Sequence, residues 1–340
     1  MSSRDERRRG CLLGLAVGDA LGTTNEFKQL EAPPYPELAA GPLREVVGGG
    51  PFHVAPGQVT DDTQMACCLA ASLREHGEFR VDNVARRYAE WMPHAFDIGG
   101  QTSACLSLVA HGAPGVEAGR RIWEQRGRSA AGNGSLMRTA PIGVFFAGDD
   151  DSRRRASLLD SAITHFDPRC QLACAAFNAA IAYAVQGEQP AVCEDMAATA
   201  EQELPLAADL CRRIWPGCET EIATAEEQLR EDLAAVRQAR PGLYSSELHI
   251  HKHQGFVRVA FRLAFWHLHH GPDFETSLID VANRGGDADT NAAIAGALLG
   301  ARDGEQAIPQ RWRDTVLGAL EGETGRLANE YHPRELLRLA

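Results

Sequence analysis

The chain has 340 residues, of which 44% are apolar and 24% charged, enough to fill a sizeable core in one large domain or two ordinary ones. Its 34 basic and 46 acidic residues leave a formal net charge of −12. That balance argues against a general nucleic-acid or anionic-membrane binder, which needs a basic face. It leaves room for an anionic small ligand held locally by backbone N–H groups and metal ions.

The charged stretch Arg4–Arg9 before Cys11-Leu-Leu-Gly-Leu-Ala-Val17 mimics a signal peptide. The apolar run is short, however, and Asp19 interrupts it before a cleavage-site pattern. No run reaches the roughly 20 apolar residues that a spanning helix needs. Nine cysteines are present with no C-x-x-C pair, and several fall inside apolar helical runs. Reduced, buried thiols in a cytoplasmic protein are the expectation.

In chain order, Val84, Tyr88 and Trp91 recur at i, i+4 and i+7, one face of a helix. Asp167-Pro168 reads as an N-cap and first turn, continued by the Ala-rich run Gln171–Val185. Val257, Phe261, Phe265 and Leu268 mark another apolar face, which Gly271 is placed to end. Asp273 then caps a helix running to about Ala282, and Ile294, Leu298 and Leu299 line one more. Strand signals are few: Glu45–Val47 and Val144–Phe146 are too short to build a sheet. An all-α fold with long functional loops follows. The loops are Glu31–Gln58 and Gly127–Gly134, and the acidic stretch Glu188–Arg240, thin in apolar residues, reads as a helical elaboration of a single domain.

Two segments share a design. Val59-Thr60-Asp61-Asp62-Thr63 leads into Gln64–Leu73, and Gly285-Gly286-Asp287-Ala288-Asp289-Thr290 leads into Asn291–Leu299. Each places two carboxylates and a hydroxyl at a helix start. Capping and dipole complementation are the ordinary use of such residues. Two acids exceed what one cap needs and repel each other, and a divalent cation cancels that repulsion. Carboxylate and hydroxyl oxygens suit hard Mg²⁺ or Mn²⁺. Four carboxylates and two hydroxyls would suit a pair of ions about 3.5–4 Å apart.

The same residues carry a family resemblance. Gly10-Cys-Leu-Leu-Gly-Leu-Ala-Val-Gly-Asp-Ala-Leu-Gly22 with Glu26, Thr60-Asp-Asp-Thr63, Asp97-Ile-Gly99, Gly132-Asn-Gly-Ser-Leu-Met-Arg138, Thr164-His165 and Gly285-Gly-Asp-Ala-Asp-Thr290 follow one another in order. Together they resemble the ADP-ribosylglycohydrolase family over most of the chain. The resemblance implies an all-α fold with a cleft holding two Mg²⁺ or Mn²⁺ ions. It implies metal ligation by Thr60, Asp61, Asp62, Asp287, Asp289 and Thr290, and Glu26 matches an acid that approaches the metals or substrate. Asp62 or Glu26 would act as general base and Asp97 would assist the leaving group. Gly99 and Gly100, the turn Gly132, Asn133, Gly134 and Ser135 with Met137, and His165 would contact the ribose or diphosphate. The implied reaction frees ADP-ribose from a modified side chain of a protein, most readily arginine. Serine-linked, nucleobase or small-molecule conjugates, or an inactive binding relative, are the alternatives. Arg138 is alternatively structural, paired with an acid behind the site. His249, His251 and His253 alternate but belong to no such pattern and read as a solvated loop.

Overall fold

The computed structural model describes residues 2–187 and 190–340, so the first two residues of the 188–240 stretch, Glu188 and Gln189, lie outside the described residues. The helices in chain order are α1 (Ser3–Gly22), α2 (Asp61–His76), α3 (Val81–Trp91), α4 (Gly100–Ala110), α5 (Gly115–Gln125), α6 (Ala140–Phe145), α7 (Asp150–Thr164), α8 (Pro168–Gln186), α9 (Cys193–Ile214), α10 (Glu219–Ala235), α11 (Val257–His270), α12 (Phe274–Asn283), α13 (Ala288–Asp303), α14 (Gln310–Gly318), α15 (Arg326–Asn329) and α16 (Pro333–Leu336). Among the described residues there is no sheet, only isolated bridges such as Gly49 with Val54. The fold is all-α, as the sequence implies. Val144–Phe146 is not extended but closes α6, because Pro141 sits in that helix's first turn, where its missing N–H costs nothing.

Helices α1 and α13 form the centre. From Gly10 to Gly22 every residue of α1 is buried, and so is every residue of α13 from Ala288 to Ala301. A helix apolar on all sides has neighbours on all sides. The two meet through residues spaced four apart, which share one face of a helix. A Cβ added at Gly14 would lie 2.2 Å from the Gly296 carbonyl oxygen, one at Gly18 2.0 Å from that of Ala292, and one at Gly22 2.3 Å from that of Ala288. The backbones are therefore in contact, and no side chain fits between them. At one end of this seam lie the start of α13 and the end of α1, the two places from which the acids project.

The other helices close around this pair. Asp167 caps α8 and Asp273 caps α12 through their side chains, and Gly271 ends α11. In the 188–240 stretch, α9 and α10 are less thin than the composition implies: Met196, Ala197, Ala200, Leu204, Ala207, Cys211, Ile222, Ala225, Leu229 and Leu233 are all fully buried in the common core. Ion pairs fix the same helices from their polar sides. Asp232 of α10 accepts from Arg258 Nε at 2.7 Å and Arg262 Nε at 2.8 Å, and Glu203 of α9 accepts from Arg154 Nε at 2.6 Å. Eight of the nine cysteines are buried and none is paired. Among the described residues no helix is long and apolar enough to cross a membrane.

Gly18→Ala forces a methyl group into the α13 backbone and is expected to cost roughly 1–3 kcal/mol, the range of overpacked cores. Gly148→Ala, where an added Cβ meets nothing within 4 Å, is expected to be close to neutral. Urea denaturation of the two variants checks this, and equal midpoints would show that the α1–α13 seam tolerates separation.

Candidate active site

The α1–α13 seam ends at a cleft of about 240 Å³ lined by Glu26, Phe27, Asp61, Asp97, Gly99, Gly100, Gln101, Thr102, Gly132, Asn133, Gly134, Met137, His165, Gly255, Asp287, Asp289 and Thr290. It is not the largest concavity. One of about 620 Å³ runs between α3 and the end of α4, but its lining of Ala, Gly and Pro with Asp82, Arg86 and Glu90 brings no convergent set of groups.

Both acidic helix starts reach the cleft, and neither works as a simple cap. Thr60 and Asp287 occupy the N-cap positions of α2 and α13, yet neither makes a side-chain capping hydrogen bond. The free N–H groups of α2 are instead met by Asp19, a fully buried residue of α1. Asp19 accepts from the Thr60 N–H at 3.0 Å, the Thr60 hydroxyl at 2.9 Å, the Thr63 N–H at 3.1 Å and the Thr63 hydroxyl at 2.5 Å. With that role filled, Asp61 and Asp62 are free for other work. Asp61 lines the cleft. Asp62 lies beneath it, its Oδ2 near the Thr60 and Thr290 hydroxyls at 3.3 and 3.4 Å and its buried Oδ1 without a partner.

On the opposite side, Gly285 and Gly286 both have positive φ. A Cβ at Gly285 would lie 2.1 Å from the Lys28 carbonyl oxygen. The Gly286 N–H donates to that same oxygen at 2.8 Å, and the Phe27 N–H donates back to the Gly286 carbonyl at 2.6 Å. This exchange ties the Glu26 segment to the start of α13. Oxygens of Glu26, Asp97 and Asp289 consequently lie within 4.8 Å of one another.

Burial and mutual repulsion push every acid of this group upward. Desolvation followed by the charges of Asp97 and Asp287 raises Glu26 to about 9, and desolvation followed by Asp287 raises Asp97 to about 7. Asp61, Asp62 and Asp289 rise well above the usual carboxylate range, and Asp287 rises too. Desolvation lifts Asp19 to about 6 despite its threonine partners. Among the described residues lining the cleft there is no lysine or arginine to offset these acids. Uncompensated hard oxygen donors, with the buried Glu26 Oε2 and Asp62 Oδ1 unpartnered, fit a divalent cation.

The far side of the cleft has the opposite character. Asn133 donates from Nδ2 to Asp287 Oδ2 at 2.7 Å, and its N–H donates to the Gly255 carbonyl at 3.0 Å. Gly132 and Gly134 lie over His165; a Cβ at Gly134 would approach its Cε1 to 2.8 Å. Burial lowers the His165 pKa well below its ordinary value, so the ring is neutral. Arg138 Nη1 donates to the Thr164 hydroxyl at 2.8 Å, and that hydroxyl lies 2.8 Å from His165 Nδ1. With one lone pair taken by Arg138, the hydroxyl still has a proton to give to Nδ1, an arrangement that puts the ring proton on Nε2 as a donor at the cleft.

Of the other residues singled out in the sequence, Gly99, Gly100 and Met137 line the cleft, whereas Thr60 does not. Ser135 does not reach it either. Its hydroxyl accepts from Ser161 at 2.9 Å in the core. Arg138 is structural, paired with Asp160 in full burial. The three alternating histidines turn to separate partners: His251 Nε2 to the Arg284 carbonyl at 2.7 Å, His253 Nε2 to the Ser246 carbonyl at 3.1 Å, and His249 Nδ1 to the His251 N–H at 3.2 Å. Their loop is anchored rather than merely solvated, since Leu243, Leu248 and Ile250 are buried beneath it. Sequence reasoning missed Asp19, Phe27, Gln101, Thr102 and Gly255 as residues of the site and its support. Asp19 had a signal, a lone acid inside the otherwise uncharged run Gly10–Gly22.

The family model for ADP-ribosylglycohydrolases matches residues 1–338. The chain belongs to the ADP-ribosylglycohydrolase family. It is 29% identical over 320 residues to an ADP-ribosylarginine hydrolase of Pseudomonas putida (strain GB-1), covering 92% of this chain and 74% of that protein. It is 27% identical to the ADP-ribosyl-[dinitrogen reductase] glycohydrolase of Rhodospirillum rubrum, over 94% of each chain. A solved structure described as an ADP-ribosylglycohydrolase-related protein complex superposes with a TM-score of 0.67 at 29% identity, covering 99% of this chain and 98% of that one.

The raised carboxyls give a testable pH dependence. An acid whose folded pKa exceeds its unfolded value, about 4, stabilises the fold in its protonated form. That contribution is complete below the unfolded value and is lost as pH rises through the folded one, about 7 for Asp97 and about 9 for Glu26. In EDTA the melting temperature is expected to fall from pH 5 to pH 9, and Mg²⁺ or Mn²⁺ to restore it most at the alkaline end. Thermal melts across that range check this; a melting temperature indifferent to both pH and cation would remove the case for a metal centre.

Proposed function

We propose that the cleft hydrolyses the glycosidic bond between ADP-ribose and a modified protein side chain, with arginine as the preferred linkage. Two Mg²⁺ or Mn²⁺ ions would be held by Thr60, Asp61, Asp62, Asp287, Asp289 and Thr290. The observation that carries this reading is the pairing of uncompensated carboxyls with a glycine turn and a neutral His165 donor in one cleft. Family membership and the activities of the relatives support the reaction class and the arginine linkage.

Bound divalent cations would supply the positive charge that ionises the surrounding carboxyls and orients the ribose hydroxyls. The chain's own groups account for the rest. The Gly132 and Gly134 N–H groups and the His165 Nε2–H would face the diphosphate and ribose, the Asn133 N–H being taken by the Gly255 carbonyl. Cleavage at an anomeric carbon passes through an oxocarbenium-like state. The bond from that carbon to the guanidino nitrogen breaks, water supplies the new hydroxyl, and its proton replaces the sugar on the nitrogen. Glu26 lines the cleft with an unpartnered oxygen, which suits it to take the water proton. Asp62 lies below the cleft surface and suits the ions better than the base role. Asp97 lines the cleft beside Glu26 and Asp289 and is placed to deliver a proton to the leaving nitrogen. Eight buried, unpaired cysteines are consistent with a reducing, cytoplasmic setting.

Peptides carrying ADP-ribosyl-arginine or ADP-ribosyl-serine, incubated with Mg²⁺ or with EDTA, separate the readings. Cation-dependent release of free ADP-ribose is expected from the arginine peptide, at a rate at least about tenfold above the serine peptide. Asp287→Ala or Asp289→Ala is expected to lower turnover by about 10²–10³, the scale of a lost electrostatic contact in a transition state. Undiminished turnover in both variants, or release unaffected by EDTA, would overturn the two-ion reading.

A further inference from the structure

We propose that Phe27, backed by Phe52 and Phe96, forms the subsite that receives the guanidinium group of the modified arginine. The proposal rests on the reading of the cleft as a site that removes ADP-ribose. Phe27 lines the cleft, yet 52% of its surface is exposed, so core packing does not account for it. Its φ is +61°, in the left-handed region that a bulky non-glycine residue rarely adopts. The backbone exchange with Gly286 and Lys28 holds it there. A strained, exposed aromatic side chain kept beside a cluster of acids points to use at a ligand site.

The position specifies which ligand group it meets. Phe27 follows Glu26 and Phe96 precedes Asp97, so two of the three clustered acids each have an aromatic neighbour in sequence. Phe52 links these neighbours. Its ring centroid lies 6.5 Å from that of Phe27 at 72° and 6.0 Å from that of Phe96 at 60°. Phe52 and Phe96 are partly buried, which leaves Phe27 as the ring offered to the cleft. The negative face of an aromatic ring attracts a cation, and a planar guanidinium can stack on it while its N–H groups meet adjacent carboxylates. Phe27 beside Glu26 and Asp97 offers both. A neutral hydroxyl leaving group would gain from neither, so the same ring discriminates between linkages.

The test uses the Mn²⁺-loaded full chain, wild type, Phe27→Leu and Phe27→Gly. Phe27→Gly suits the left-handed backbone and is expected to melt no lower than wild type, which separates a binding defect from misfolding. Butylguanidine binding, followed by calorimetry, is expected to weaken about fivefold in both variants, while the affinity for ADP-ribose stays as in wild type. KM for the ADP-ribosyl-arginine peptide is expected to rise by a similar factor, and more than kcat falls. Butylguanidine binding equal to wild type in both variants would overturn the proposal. So would a matching loss of ADP-ribose affinity, which would place the adenine on Phe27 instead. If no conjugate is hydrolysed by wild type, the reading of the reaction fails, and butylguanidine binding still decides the role of the ring.

Discussion

The close approach of α1 and α13 is the constraint on which the site depends. Ordinary helix pairs stand about 8–10 Å apart, with side chains between them. Here the glycines at 10, 14, 18 and 22 face the α13 positions 288, 292, 296 and 300, and an added Cβ would strike a backbone oxygen at 2.0–2.4 Å. Separating the two helices by one side-chain layer would carry Glu26, which follows α1, away from Asp289 at the start of α13. The acids come from four separate stretches of chain, and this seam sets the distance between two of them.

A second consequence is electrostatic. Bringing Glu26, Asp61, Asp62, Asp97, Asp287 and Asp289 together in a buried cleft works against folding, since each pays desolvation and repels the rest. The surrounding structure opposes this with rigid supports in place of counter-charges. Asp19 fixes the start of α2 through threonine hydroxyls and N–H groups, and the Lys28–Gly286 exchange fixes the start of α13. Arg138, a fully buried cation close to the glycine turn, is committed to Asp160, Thr164 and the Gly134 carbonyl and leaves the acids unneutralised. A cation bound there would stabilise the fold by the charge it cancels, so folding and metal binding are linked.

Much of this was legible in the sequence because it rests on local signals. Period-3.6 apolar faces, the Asp167 and Asp273 caps and the stop at Gly271 each depend on a few neighbouring residues, and each appears where the pattern places it. The two acidic helix starts stood out because two acids exceed the need of one cap, and both reach the cleft region. What escaped was contact between distant residues. Ser135 reads as part of a ligand-binding turn, but only the fold shows its hydroxyl aimed at Ser161. Phe27 carries no pattern at all; its importance lies in a backbone angle and in a ring, Phe52, that a loop returns to it. The glycine spacing along α1 was visible, yet its meaning needed the facing small residues of α13, more than 260 residues away.

The net charge of −12 and the acidic cleft together frame how an anionic ligand would bind. A diphosphate approaching six carboxyls meets repulsion unless positive charge is supplied within the cleft, and no lysine or arginine among the described lining residues supplies it. The neutral His165 and the glycine turn offer dipoles only, which orient an anion more than they attract it. Under the proposed function, cation binding must therefore strengthen ligand binding, and by reciprocity the ligand must strengthen cation binding. An acidic cleft also favours a leaving group that departs as a cation. A guanidinium gains from the same carboxylates that repel the diphosphate, so the two halves of the conjugate would be sorted by charge along the cleft, with the bond to be broken lying between the glycine turn and the acids.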